Sequence, residues 1–118
     1  MISESGHMLH LLGSSHHVAS LAAREKISLP SEKIDEFYAG LQEIPGLNEC
    51  LLLNTCNRTE IYCAANSDCA DDIGDWLSQS KKVDLQELQG ASYQYWDQDA
   101  ARHSIRVAEG LVSQMLGE

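Results

Sequence analysis

Residues 51–63 read Leu-Leu-Leu-Asn-Thr-Cys-Asn-Arg-Thr-Glu-Ile-Tyr-Cys: two short apolar segments either side of a polar centre. That order predicts strand, tight loop and strand, with Asn and Thr supplying the turn chemistry. Period-two alternation then commits the second strand, putting Ile61 and Cys63 on one face and Glu60 and Tyr62 on the other. The loop carries Cys56 at its tip. A free cysteine usually behaves as a small buried hydrophobe. This one lies two residues from Arg58 among hydroxyl and amide groups, a setting in which a neighbouring cation favours thiolate over thiol.

Around the hairpin the chain predicts an α+β domain. Residues 8–13 form an apolar run ending in glycine, a first strand, followed by a polar turn at Ser14, Ser15, His16 and His17. Ser20 caps a short helix reaching Arg24 and Lys26. Pro30-Ser31-Glu32 opens a second helix with Ser31 as cap, and Ile34, Phe37, Tyr38 and Leu41 share one of its faces. Asp71, Asp72 and Asp75 crowd the start of a third helix carrying Ile73, Trp76 and Leu77, where they complement the helix N-terminus rather than hold a metal. Residues 83–89 read as a loop and residues 92–96 as a fourth strand. Asp97 then caps a long helix whose apolar stripe is Ala101, Ile105, Ala108, Val112 and Met115. Strand, helix, strand, strand, helix, strand is the βαββαβ order of a ferredoxin-like sandwich, here with additional helices and a C-terminal helix leading out of the domain.

Bulk properties narrow the chemistry. One hundred and eighteen residues make one domain. Residues 1–8 are set aside as a disordered lead-in without the pattern of a signal peptide, leaving 9–118 as the domain, and a cytoplasmic location is expected. Cys50, Cys56, Cys63 and Cys69 are spaced unlike the paired ligands of a structural zinc site and are read as reduced thiols; the adjacent His16 and His17 are read as solvated turn residues, so no metal is expected. Net charge is −10, with only eight Lys and Arg. Proteins that grip nucleic acid by its phosphates show a basic face, so this chain is not expected to be a general nucleic-acid binder.

The heptapeptide Asn54-Thr55-Cys56-Asn57-Arg58-Thr59-Glu60 closely resembles the active-site motif of the glutamyl-tRNA reductase family. Gly13-Ser14-Ser15-His16-His17 with Arg24-Glu25-Lys26 resembles that family's opening segment. The run from His103 to Leu111, with Leu116-Gly117-Glu118, resembles the helix leading out of its N-terminal catalytic domain. The likeness covers residues 9–118 in order. Ser15 stands where the family usually has Asn, Val112 where it has Asp, and Asn54 where Ser is common; these departures bear on substrate positioning, the nucleophile and its arginine being intact.

The resemblance implies reduction of the glutamate carried on its tRNA to glutamate-1-semialdehyde, the start of tetrapyrrole (porphyrin) synthesis. Cys56 is then the nucleophile that forms a thioester, and His103 an acid/base or polarising group near the reacting carbonyl. Thr55 and Asn57 orient the substrate, Arg58 clamps its side-chain carboxylate, and Ser113 and Glu118 are further substrate contacts. Ten helical residues place Ser113 about 15 Å from His103, so a bend at Gly110 is expected if both serve one site. The implied cofactor is NADPH, yet no Gly-x-Gly-x-x-Gly turn follows a strand, so its domain lies outside this chain and at most the acylation or esterase half-reaction is expected here. Implied partners are glutamyl-tRNA, a second copy in a homodimer, and the downstream aminomutase. Two other readings stay open: a ferredoxin-like interaction or regulatory module without catalysis, and a thiol acyl hydrolase that never uses NADPH.

Overall fold

The computed structural model describes residues 8–66 and 68–115, with side chains described as far as Val112. The first seven residues of the expected lead-in, and Glu118, lie outside the described residues. Four strands and five helices alternate as β1 (Met8–Ser15), α1 (Leu21–Ile27), α2 (Ile34–Gln42), β2 (Leu47–Asn54), β3 (Arg58–Ala65), α3 (Ala70–Lys81), α4 (Leu85–Gly90), β4 (Tyr93–Trp96) and α5 (Asp97–Met115). The sheet is antiparallel throughout, in the order β2-β3-β1-β4. The predicted hairpin is its seed, with β2 and β3 paired from Leu47↔Ala65 to Asn54↔Thr59.

Alternation assigns the two faces as the sequence predicts. Leu12, Ile61, Cys63 and Ala65 join Ile27, Leu29, Phe37, Leu41, Ile73 and Leu77 in one cluster, which places α1, α2 and α3 against that face. Ser20 caps α1 by accepting from the Ala23 amide at 3.2 Å. Between α2 and α3, Gly40 leaves room for the Trp76 indole, whose Nε1 would lie 2.5 Å from a Cβ there. The other face carries Leu11, Gly13, Glu60 and Tyr93, and α5 lies across it, in contact with β1 and β4. Ala100 and Val107 are its buried apolar residues.

Several local expectations give way to tertiary demands. Ser14 and Ser15 are strand rather than turn, because β1 pairs with β3 all the way to Ser15↔Arg58. Ser31 makes no cap; the chain tightens instead into a 3-10 turn over Ser31–Lys33, closed by the Lys33 amide on the Pro30 carbonyl. The expected loop at 83–89 contains α4, capped by Asp84, which accepts from the Gln86 amide. Asp97 adopts φ 49°, and its carboxylate accepts from the Leu9 amide at 3.0 Å, tying the start of α5 to the β1 strand. The expected apolar stripe of α5 faces solvent: Ile105 is 60% and Val112 52% exposed. Ala100, His103 and Val107, one residue out of phase with that stripe, turn to the sheet, and α5 runs unbroken through Gly110.

A carboxylate sets that phase. Glu60 is wholly buried and accepts four hydrogen bonds: from Tyr62 (2.6 Å) on Oε1, and from Tyr93 (2.5 Å), His103 Nε2 (2.6 Å) and Arg58 Nη1 (3.2 Å) on Oε2. Burial works against its charge, but the donors from Tyr62, Tyr93 and His103, with the charge of His103, outweigh it and hold the carboxyl below its usual 4.5. Burial first, and then Glu60 itself, push both tyrosine hydroxyls up. Gly13 makes the arrangement possible, since a Cβ there would come within 2.8 Å of Glu60 Cγ and 3.0 Å of Tyr93 Cε1.

Two stability outcomes follow. Gly13→Ala should cost about 2 kcal/mol as an overpacking substitution, read by urea titration. Glu60→Gln should cost about 3 kcal/mol near neutrality, because one amide cannot replace a charged acceptor of four donors. The pH dependence has a definite sign. A carboxyl depressed in the folded state contributes stability above 4.5 that is lost as pH falls through its lower folded value. His10, buried against Gln94, is depressed below 6.5 chiefly by burial, so protonating the unfolded chain lowers stability below that pH. Both effects make acid destabilising, and urea titrations of Glu60→Gln should show a shallower loss than the parent only in the lower range.

Candidate active site

The tip of the β2–β3 hairpin is held from several sides. Thr55 N–H donates to the Arg58 carbonyl at 2.8 Å and Thr55 Oγ1 accepts from the amides of Asn57 and Arg58, so this side chain closes the turn. Asn54 Oδ1 accepts from the Leu29 amide and the Thr59 hydroxyl, fastening the base of the loop to the chain after α1. Arg24 Nη1 donates to the Cys56 carbonyl at 2.9 Å, and the His16 amide to the Asn57 carbonyl at 3.0 Å. Backbone groups that would otherwise be free on a loop are therefore committed, and the Cys56 side chain alone is left at the apex, exposed.

The four cysteines differ sharply. Cys63 and Cys69 are buried and Cys50 partly so, whereas Cys56 is open to solvent. Burial pushes the Cys63 thiol up to about 12 and raises that of Cys50 as well. Only Cys56 combines access with a cationic neighbourhood. Its cavity of about 220 Å³ is bordered by Arg24 and Arg58, by the carboxylate of Glu25, and by Leu21, Ser28, Thr55 and Thr59. A second cavity, of about 200 Å³, opens on the far side of Thr55 and Arg58, between the hairpin tip and α5.

The structure distributes the expected site residues unevenly. Cys56, Thr55 and Arg58 share the first cavity, while Asn57, Thr55 and Arg58 border the second. Arg58 is 17% exposed in its side chain, with Nη1 engaged by Glu60. His103 lies behind it, its Nε2 on the same Oε2 atom that holds Arg58 and its ring stacked against Tyr95 with centroids 5.0 Å apart. Cys56 borders the first of these two cavities, and His103 is among the described residues lining neither. Ser113 belongs to the last turns of α5, and its side chain lies outside those described.

Three contributors escape a sequence reading. Glu60 carries no role in the hairpin pattern beyond its face, and its four donors come from β3, β4 and α5. Arg24 is visible only as part of the Arg-Glu-Lys run, and nothing local says that its guanidinium crosses to the Cys56 carbonyl. Arg106 borders the second cavity beside Arg58 and His16. Among the described residues no group of three or more His, Cys, Asp or Glu is placed to hold a metal ion. None of the described helices is long and apolar enough to cross a membrane.

Comparison with known proteins identifies the family. The profile described as the N-terminal domain of glutamyl-tRNA(Glu) reductase matches residues 12–118. Glutamyl-tRNA reductase of Marinobacter nauticus is 39% identical over 107 residues, 91% of this chain and 25% of that protein. The Teredinibacter turnerae enzyme is 42% identical over 107 residues, 91% of this chain and 26% of that one. The solved glutamyl-tRNA reductase from Methanopyrus kandleri superposes with a TM-score of 0.66 at 29% identity, covering 93% of this chain and 24% of that one. The chain thus spans about a quarter of the length of these relatives. It belongs to the glutamyl-tRNA reductase family and corresponds to that family's N-terminal domain.

Proposed function

We propose that this chain is the thioester-forming domain of a glutamyl-tRNA reductase acting at the entry to tetrapyrrole synthesis. The observation that carries the reading is the exposed Cys56 thiol at the apex of a loop whose backbone is held by Arg24, His16 and Thr55. A nucleophile gains most from such fixing, because its approach angle no longer has to be found at each encounter. The interleaved strand order β2-β3-β1-β4 supports placing the domain among ferredoxin-like sandwiches, with α5 added on the second face.

The thiolate of Cys56 attacks the carbonyl carbon of the ester joining glutamate to the tRNA ribose. A carbon–sulfur bond forms, the ester carbon–oxygen bond breaks, and the ribose oxygen leaves with a proton equivalent to the one lost by the thiol. Arg58 holds the side-chain carboxylate of the glutamyl group, a task that suits a guanidinium fork. Thr55 keeps the loop in shape, and Asn57 borders the space beyond it. His103 steadies Arg58 through their shared partner Glu60, a positioning role in place of direct contact with the carbonyl. Ser113 and Glu118 remain assigned to the substrate side on resemblance.

Reduction of the thioester needs a hydride donor, for which the resemblance implies NADPH. The residues of this chain do not fit that cofactor. The connection from β1 to α1 runs His16-His17-Val18-Ala19-Ser20 and that after β3 leads through Asp68 and Cys69, and neither offers a glycine-rich phosphate cradle. The part of the reaction assigned here therefore ends at the acyl-enzyme, which water slowly hydrolyses. With a net charge of −10 the domain recognises the aminoacyl end of the tRNA and leaves most of the grip to other parts of the enzyme. Homodimer assembly and delivery of the aldehyde to an aminomutase belong, in this reading, to the whole enzyme.

Incubation with labelled glutamyl-tRNA, followed by mass spectrometry, should place the glutamyl label on Cys56. Cys56→Ser should abolish it, and serine at Cys50, Cys63 or Cys69 should not; label elsewhere sinks the reading. Product analysis should give slow release of glutamate and no semialdehyde from this chain, with or without NADPH. Arg58→Lys should weaken glutamyl transfer by about 2–5 kcal/mol, since the charge survives but the two-pronged geometry does not. Parent-like rates at limiting substrate would remove Arg58 from the carboxylate site.

A further inference from the structure

The second cavity is the most cationic feature near the reactive thiol. His16, Thr55, Asn57, Arg58 and Arg106 border it together with apolar residues of α5, and no carboxylate does among the described residues. In a chain of net charge −10 with eight Lys and Arg, two of the eight meet here, and a third, Arg24, borders the adjoining cavity. Arg106 has no hydrogen-bond or ion-pair partner among the described residues. A cation left unpaired on an acidic protein, facing a small space lined by donors, is suited to an oxyanion from outside.

Arg58 alone is poorly equipped for that anion. Its Nη1 is held by the buried Glu60 carboxylate at 3.2 Å, which spends one prong of the fork and offsets the charge at close range. A substrate carboxylate approaching Arg58 also feels Glu60 behind it. A second cation on the open side restores the balance, and the position of Arg106 across the cavity answers that need. Thr55 and Arg58 border both cavities, so a glutamyl group whose carbonyl lies at Cys56 has its side chain directed along Arg58 toward Arg106.

We propose that Arg106 is a specificity-determining residue, the second guanidinium of a two-arginine site that takes the side-chain carboxylate of the glutamyl substrate in the cavity between the hairpin tip and α5. This rests on the reading of Cys56 as the nucleophile for a glutamyl ester. The same oxyanion chemistry would suit a phosphate of the tRNA end. The cavity of about 200 Å³, which shares Thr55 and Arg58 with that of the thiol, favours the carboxylate.

Protection of Cys56 from alkylation tests the site without requiring acyl transfer. Cys56 is the exposed thiol among the four, so its modification by iodoacetamide can be followed by peptide mass spectrometry on the 118-residue chain. Glutamate α-methyl ester should slow it saturably, and glutamine α-methyl ester should do so far less. Arg106→Gln should raise the half-protecting concentration of the glutamate ester about tenfold or more, with Arg106→Lys falling between, as expected for a lost charge-assisted pair. An unchanged half-protecting concentration in Arg106→Gln, or no protection of the parent, overturns the proposal. So does Arg106-dependent protection by AMP with none by the ester, which would assign the cavity to phosphate. The two readings fail separately. Acylation of Cys56 by glutamyl-tRNA with full glutamyl selectivity in Arg106→Gln removes this proposal only, whereas Arg106-dependent protection without acylation removes only the nucleophile.

Discussion

The carboxylate of Glu60 is the interaction on which the rest of the structure depends. A buried, ionised side chain costs several kcal/mol in desolvation unless its partners are complete. Here four donors complete it, and they come from β3 itself, from β4 and from α5. No rearrangement of one element leaves the carboxylate satisfied. A slip of β4 withdraws Tyr93, a rotation of α5 withdraws His103, and a side chain at position 13 would displace the carboxylate from its seat over β1. Such a cluster adds little net stability compared with an apolar core, but it penalises every other packing of the same elements.

That explains why the reactive loop can be both exposed and ordered. Loop tips are ordinarily mobile, with backbone groups satisfied by water. The hairpin tip here is fastened to the end of β1 through His16, to α1 through Arg24 and to the Glu60 cluster through Arg58. Three separate parts of the fold thus converge on four residues, 55–58. The cost falls on Arg58, whose charge is shared with an internal partner. A single arginine cannot serve at full strength both as a structural tie and as the substrate clamp proposed for it, and other cations, Arg24 and Arg106, border the cavities at the hairpin tip.

The sequence makes the local half of this legible. Hairpin pairing, the assignment of Ile61 and Cys63 to one face and Glu60 and Tyr62 to the other, and the Ser20 cap all follow from neighbours within a few residues, and the structure agrees with each. What escapes is set by distant partners. Asp97 is an ordinary helix cap by pattern, yet its carboxylate goes to Leu9, on the strand at the other end of the chain. The apolar stripe of α5 is the best amphipathic signal on that helix, but a hydrogen bond to a buried carboxylate outweighs it and turns Ile105 and Val112 outward. Ser14 and Ser15 carry turn chemistry and lie in a strand because β3 offers a full-length partner. The candidate site divides in the same way. Cys56 and Arg58 stand in one motif, whereas Arg24 and Arg106 reach the tip only through the fold.

Charge at two length scales then separates what this domain reads from what it leaves alone. Across the whole chain the excess is negative, −10, and at ordinary ionic strength that field decays within about 8 Å of the surface. A polyanion such as tRNA meets it along its length and is repelled wherever it lies close. Within the cavities at the hairpin tip the balance is reversed, since Arg24, Arg58 and Arg106 border them and Glu25 is the one carboxylate lining either. A small anionic group small enough to enter is held by short-range pairing that salt screens weakly, while the attached nucleic acid gains nothing from the outer surface. Under the proposed function, discrimination would be confined to the amino acid end, where the difference between a carboxylate and an amide is one full charge. On that proposal, affinity for the carrier comes from surfaces other than this one, which leaves the two properties free to be set independently.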